Sequence, residues 1–142
     1  MTSPELDNLV KIGKLKREPP VQQELAGLRA SAESRLADAG VKELSYEGRF
    51  DLAYGAVHAF ALIALRRLGY RSNNRYLVFQ VLPHTAGFPA ASTRVLVKAH
   101  ERRNAIEYEG ATERDERLLT ELIATARALR QVVEKLSKDS HQ

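Results

Sequence analysis

The sequence contains no cysteine and no tryptophan, and only 6% of its residues are aromatic. Without thiols the chain can form neither disulfide bonds nor thiolate metal sites. It also lacks a glycine-rich phosphate loop, a Gly-x-Ser-x-Gly segment and the paired-histidine spacings of zinc hydrolases. We therefore expect no cofactor and no metal, and the commonest hydrolase and nucleotide-binding motifs do not apply.

Long apolar runs are missing as well. The longest such stretch, residues 53–65, is interrupted by His58 and flanked by Asp51 and Arg66. It is too short to cross a bilayer, which needs about 20 apolar residues, and the first residues carry no signal-peptide pattern. These absences predict a soluble, cytoplasmic protein with no membrane partner.

The chain is nevertheless rich enough in apolar residues to build a core. It has 142 residues, of which 44% are hydrophobic and 28% charged, with a formal net charge of +4. This composition argues against wholesale disorder. The length fits a single domain, and we place its core at about residues 4–136.

Apolar residues recur at three- and four-residue spacing along most of the chain, and this periodicity predicts α-helices. No segment predicts a strand with a pairing partner. The fold class is therefore all-α, an antiparallel up-and-down bundle of about six helices, with the most apolar helix, the third, at its centre. The predicted helices cover residues 4–15, 21–39, 45–68, 75–82, 90–109 and 113–136.

The fifth predicted helix carries an arginine on its apolar side. On an ideal helix, Leu96, Ala99, Arg103 and Ile106 fall within an arc about 80° wide. A guanidinium on such an arc must be paired or lie in a polar cleft, because an isolated buried charge is costly. Two interpretations follow: an ion pair with Glu107 or a carboxylate of another helix, or a cation that receives an anionic ligand.

The same helix ends in the segment RNAIEYEG, residues 103–110, which resembles the signature region of HEPN domains. In that superfamily an arginine, often followed by a polar residue such as asparagine, precedes a histidine near the end of a helix. Blocks elsewhere in the chain add to the resemblance, which covers roughly residues 5–135. These blocks are Glu18-Pro19-Pro20, Arg49-Phe50, Ala53-Tyr54, His58, Gly69-Tyr70-Arg71 and Phe79-Gln80.

The resemblance implies a helical homodimer whose arginine-bearing helices line a shared cleft. In active family members this cleft cleaves RNA without a metal ion. Carried over to this sequence, Arg103 would stabilise charge on a phosphate and Asn104 would be its hydrogen-bonding neighbour. The catalytic residues that the resemblance implies are thus Arg103, Asn104 and the residue at the histidine position.

At that position the chain has Tyr108 instead of histidine. A tyrosine with a pKa near 10 is a poor general base at neutral pH, although it can donate a hydrogen bond to phosphate. An ideal helix also separates Arg103 from Tyr108 by about 140°. His100, one turn before Arg103, is the alternative acid or base.

Two groups of cations predict a nucleic-acid surface. Arg94, Lys98 and Arg102 share a helix with Arg103, and a second group contains Arg66, Arg67, Arg71 and Arg75 with Tyr70 and Tyr76 interleaved. Guanidinium groups beside aromatic rings suit phosphates and unstacked bases. The alternative is a role in solubility and in stabilising helix C-terminal ends. From these groups we select Arg71, Arg75, Arg94, Lys98 and Arg102 as nucleic-acid contacts.

Two functions therefore stay open. The first is an RNA- or nucleotide-associated HEPN-like protein, a ribonuclease of the toxin–antitoxin or defence type with an altered motif. The second is a non-catalytic module for dimerisation or for docking a protein encoded nearby, such as a nucleotidyltransferase. Cleavage of RNA by the purified protein would separate the two.

Overall fold

A computed structural model describes residues 3–139 of the chain, which form an all-α bundle. Within that range there are seven helices and one pair of two-residue strands. In chain order these are α1 (Pro4–Lys11), β1 (Lys16–Arg17), α2 (Gln22–Ala39), α3 (Tyr46–Arg66), β2 (Tyr70–Arg71), α4 (Arg75–Gln80), α5 (Leu82–Thr85), α6 (Ala90–Glu109) and α7 (Glu116–Asp139).

Several helices begin at a residue whose side chain accepts a hydrogen bond from the first turn. Ser3 accepts from the amide of Leu6, Ser45 from Gly48 and Asn74 from Leu77. Such caps satisfy backbone N–H groups that have no partner inside the helix. The sequence predicted all three of these helix starts.

The third helix is the centre of the bundle, as predicted. Thirteen of its 21 residues are buried, and it contacts α2, α4, α5, α6 and α7. Its high apolar content is the reason, because a helix that is hydrophobic around most of its circumference must be covered on most sides. The remaining helices therefore take their positions from α3.

Some predicted helix limits were wrong. The first helix stops at Lys11 rather than Leu15, since the chain turns through Gly13 at φ 78°. The last helix begins at Glu116 rather than Glu113, because the Asp115 carboxylate accepts a hydrogen bond from the Leu118 amide and acts as the N-cap.

The predicted helix over residues 75–82 is divided. It ends at Gln80, and a separate turn of helix, α5, follows with Pro83 in its first positions. Proline has no N–H to continue the hydrogen-bond ladder and clashes with the preceding turn. The region after Pro83, predicted as a turn-rich connection, is thus partly helical.

Two short strands also departed from the prediction. Lys16 and Arg17 pair antiparallel with Arg71 and Tyr70, and Arg71 was expected in a loop. This pairing joins the segment after α1 to the segment after α3, which are distant in sequence. In the part of the chain described, no helix is long and apolar enough to cross a membrane.

Candidate functional site

The first predicted site residue, Arg103, lies on α6 above an aromatic ring of the central helix. Its guanidinium carbon is 5.2 Å from the ring centroid of Tyr54, and its side chain is 22% exposed. Leu96 and Ala99 on the same arc are fully buried. The helical pattern predicted that Arg103 shares an apolar arc with Leu96 and Ala99, and the structure leaves the Arg103 side chain partly exposed on that arc.

Arg103 also forms the ion pair that the sequence offered as an alternative. Its Nη2 lies 2.8 Å from Oε2 of Glu107, one turn further along α6, and the Glu107 side chain is 46% exposed. A half-exposed pair of this kind within one helix contributes only about 0.3–0.5 kcal/mol. Such a contact is weak enough for an incoming phosphate to compete with it.

A second guanidinium approaches the same ring from α4. Arg75 is the first residue of that helix, immediately after the Asn74 cap, and its guanidinium carbon is 5.8 Å from the Tyr54 ring centroid. Arg75 forms no ion pair with any residue between positions 3 and 138. Two cations thus lie beside one buried ring, and of the two only Arg103 has a carboxylate partner among the described residues.

His100 contacts the Tyr54 hydroxyl and also lines the cleft described below. Its Nδ1 lies 2.8 Å from the Tyr54 hydroxyl, and its Nε2 lies 3.2 Å from Nδ2 of Asn104. With the Asn104 amide donating to Nε2, the ring proton is on Nδ1 and is donated to the Tyr54 oxygen. Asn104 and Tyr54 therefore fix the orientation and the tautomer of this imidazole.

The surroundings of His100 keep the imidazole neutral. Burial lowers the pKa of His100, and the positive charges of Arg103 and Arg75 lower it further. Burial also raises the pKa of Tyr54, so this phenol stays protonated at neutral pH. The site consequently combines two neutral hydrogen-bonding side chains, His100 and Tyr54, with two permanent cations, Arg75 and Arg103.

These side chains line a shallow cleft of about 260 Å³. Tyr108 stands at its edge with 75% of its surface exposed. The structure therefore brings Arg103, Asn104, Tyr108 and His100 to one cleft, although an ideal helix separates Arg103 and Tyr108 widely. The residues lining the cleft are Asn73, Arg75, His100, Arg103, Asn104 and Tyr108.

Only Arg75 among the five predicted nucleic-acid contacts lines this cleft. Lys98 and Arg102 line a different depression beside α7, and Arg102 donates a hydrogen bond to the Glu113 carbonyl. Arg94 is exposed nearer the start of α6. The grouping of Arg94, Lys98 and Arg102 with Arg103 thus covers more than one side of the helix.

Arg71 belongs to a salt-bridge network at the end of α3. Arg66, with no exposed surface, donates to the Glu24 carboxylate at 2.8 Å and to the carbonyl oxygens of Glu18, Pro19 and Tyr70. Arg71 pairs with the side-chain carboxylates of Glu18 and Glu24. This network links the segment before α2 to the end of α3.

Sequence reasoning did not identify Tyr54 or Asn73 as components of the site. Tyr54 lies on the central helix α3 and is 1% exposed. A buried tyrosine hydroxyl usually needs a polar partner, so the sequence indicated that the Tyr54 hydroxyl would have one. The sequence offered no means of choosing His100, 46 positions away, as that partner.

A second histidine lies beneath the site. His58 packs edge-on against the Phe79 ring, with centroids 6.0 Å apart. Burial lowers the pKa of His58 to about 4, and the charges of Arg75 and Arg35 act in the same direction. His58 is thus neutral at physiological pH.

Within residues 3–139 no three histidine or acidic side chains are grouped as metal ligands would be. Comparisons of the chain with protein-family models, with curated proteins and with solved structures gave no match. The geometry of the cleft and the sequence pattern therefore carry the functional inference.

Proposed function

We propose that the cleft between α4 and α6 binds a phosphate group of RNA and that the chain is an RNA-associated, HEPN-like protein. The observation that carries this proposal is the pair of guanidinium groups, Arg75 and Arg103, over the Tyr54 ring. Cations beside aromatic rings and hydrogen-bond donors are the usual means of binding an RNA backbone. The HEPN-like order of Arg103 and Asn104 near the end of a helix supports it further.

A phosphate in this cleft would meet donors of several kinds. Arg75 offers a guanidinium without an ion-pair partner, and Arg103 can exchange its exposed Glu107 contact for a phosphate oxygen. The Asn104 amide and the Tyr108 hydroxyl line the same cleft. Charge-assisted hydrogen bonds from such donors are about twice as strong as neutral ones.

Binding can be measured by fluorescence anisotropy with a labelled single-stranded RNA of mixed sequence at low salt. Arg103→Gln and Arg75→Gln should each weaken binding by on the order of tenfold, because each removes one charged contact to phosphate. Arg117→Gln removes the same charge from a 91% exposed site on α7 and is the matched control. Equal affinities of all three variants would refute the proposed site.

Metal-independent cleavage is a second candidate function, and one observation favours it. The neutral imidazole of His100 faces the cleft beside Arg103, as a general base requires. His100 would accept the proton of a ribose 2′-hydroxyl while the 2′-oxygen attacks phosphorus. The products would be a 2′,3′-cyclic phosphate and a 5′-hydroxyl end, whose oxygen takes its proton from solvent.

A cleavage assay in the presence of EDTA separates this enzyme from a binding-only module. A ribonuclease gives cyclic-phosphate products that disappear in His100→Gln, while RNA binding persists. A binding-only module leaves the RNA intact although Arg103→Gln still weakens binding. The second result is favoured by the hydrogen bonds that already occupy both ring nitrogens of His100.

The proposal includes a homodimer in which the exposed end of α6 faces its counterpart in a second copy. Tyr108 at this end is 75% exposed, and apposed α6 helices would bring two clefts together. Light scattering after size exclusion tests the dimer. A monomer that copurifies with a protein encoded nearby would instead indicate the docking function.

A further inference from the structure

A further arginine, Arg67, lies outside the cleft and has few polar partners. Arg67 follows α3 directly and is only partly exposed. Its Nη2 donates to the carbonyl oxygen of Thr85 at 2.6 Å, whereas its buried Nε has no hydrogen-bond partner. The hydroxyl of Thr85, itself 2% exposed, also has no partner.

Arg67 has no counter-ion in the described part of the chain, since no carboxylate there forms an ion pair with it. Burial lowers the pKa of Arg67, and no carboxylate counteracts that effect. The adjacent Arg66 shows the contrast, because two carboxylates and three carbonyls surround it. A partly buried guanidinium without an anion is unfavourable, which makes this position receptive to a negatively charged group.

Arg67 lies at the wall of a groove between α2, α3 and the end of α7. The groove has a volume of about 410 Å³, which is within the range of small-molecule sites. Most of its wall is apolar, and none of the described side chains that line it is acidic. The lining residues are Pro20, Gln22, Leu25, Ala26, Arg29, Ala30, Ile63, Arg67 and Ser137.

The groove contains a second cation besides Arg67, the guanidinium of Arg29. Arg29 has no ion pair within the described chain, and it donates a hydrogen bond to the Ser137 hydroxyl. The groove therefore combines an apolar surface from Leu25, Ala26 and Ile63 with two guanidinium groups. Its complement is an anion with one charged end and an apolar body.

We propose that this groove binds a small amphipathic monocarboxylate, with the carboxylate at Arg67 and the apolar body along α2. A planar guanidinium matches the geometry of a carboxylate, and the apolar wall gains from contact with a hydrocarbon chain. The groove is separate from the Arg75–Arg103 cleft, so this inference does not depend on RNA binding.

Calorimetric titration of the whole protein with octanoate tests the proposal, and 1-octanol serves as the uncharged probe of equal length. We expect octanoate to bind with a Kd on the order of 0.1–1 mM and octanol to bind at least tenfold more weakly. Across hexanoate, octanoate and decanoate, affinity should rise about fourfold per methylene until the groove is filled.

Two variants probe the charge and the space separately. Arg67→Gln should lower octanoate affinity at least tenfold, and Ala26→Leu should lower it at least fivefold by filling the groove while both arginines stay. Arg103→Gln, in the other cleft, should leave octanoate binding unchanged. Circular dichroism checks folding, and if Arg67→Gln does not fold then Ala26→Leu alone decides.

Absence of octanoate binding to the wild type up to about 5 mM, a concentration above the expected Kd range, would overturn the proposal. Unchanged affinity in folded Arg67→Gln, or in Ala26→Leu, would do so as well. Equal binding of octanol and octanoate would also contradict it, because apolar contact alone would then explain the affinity.

Discussion

Three arginines illustrate how partners decide the role of one residue type. Arg66 is fully buried and surrounded by acceptors. Arg103 has one half-exposed carboxylate and a place in a cleft, whereas Arg67 has a single carbonyl contact. We infer that Arg66 stabilises the fold, and we propose that Arg103 and Arg67 receive ligands.

Arg66→Met should destabilise the protein by about 3–5 kcal/mol, because it removes one partner from a buried ionic network and leaves backbone carbonyls unsatisfied. Urea unfolding followed by circular dichroism measures the change. Arg117→Met, on the exposed face of α7, should stay within about 0.5 kcal/mol of the wild type. A similar small effect for both variants would show that the network contributes little.

Protonation of His58 should weaken the fold as the pH falls. The pKa of His58 is about 4 in the folded chain and about 6.5 when unfolded, so the unfolded state binds more protons between these values. The stability associated with neutral His58 is therefore complete above the unfolded pKa and declines below it, by at most about 3 kcal/mol.

Unfolding free energies at pH 7.5 and pH 5 measure this decline. His58→Gln cannot titrate, so its stability should change less over the same interval. That range lies above the titration of the carboxylates whose pKa is lowered, such as Glu24 and Asp7. An identical pH dependence in wild type and variant would exclude His58 as the cause.

Helix α6 has few buried residues for its length. Only Thr93, Leu96 and Ala99 are buried in its 20 residues. Its last turn ends at Gly110, which adopts a left-handed conformation at φ 69°. Gly110 thus follows Tyr108, which lines the cleft, by two positions.

Gly110→Ala should destabilise the protein by about 1–2 kcal/mol, because a residue with a Cβ is strained in the left-handed region. Gly27→Ala is the matched control, for which we expect a stability change of the opposite sign. Gly27 lies within α2, is exposed and has no atom near an added Cβ, so alanine should stabilise by about 0.5–1 kcal/mol. Thermal unfolding distinguishes the two, and shifts of equal sign would contradict the assignment.

At the scale of the whole molecule, the net charge of +4 is modest, and its local arrangement matters more. Some ion pairs join two helices, as those of Arg66 with Glu24 and of Arg130 with Glu33 do, whereas Arg103 and Arg117 each pair within one helix. Of the two guanidiniums at Tyr54, only that of Arg103 forms an ion pair in the described part of the chain. A general attraction of RNA to a basic protein is thus distinguishable from binding at the cleft.

The salt dependence of RNA affinity makes that distinction. If Arg75 and Arg103 each contact a phosphate, each glutamine variant should reduce the slope of log K against log salt by about one. Arg117→Gln has the same net charge as either variant and should keep the wild-type slope. Parallel slopes for all the proteins would indicate only a diffuse attraction.

The sequence by itself determined the helical class, the central position of α3 and the start of most helices. It also placed Arg103 on the apolar side of its helix, because helical periodicity and capping are local properties. The limits near Pro83 and Asp115 were missed, since a proline and an alternative cap compete there with the periodic pattern.

Only the tertiary structure decided which side chains meet. Tyr54 with His100, Arg66 with Glu24 and Arg75 with Arg103 come from separate elements. Spacing along one helix carries no information about the neighbouring helix. The same holds for Arg67, which stands beside Arg66 in the sequence yet lacks its carboxylates, because consecutive residues on a helix point about 100° apart and meet different surroundings.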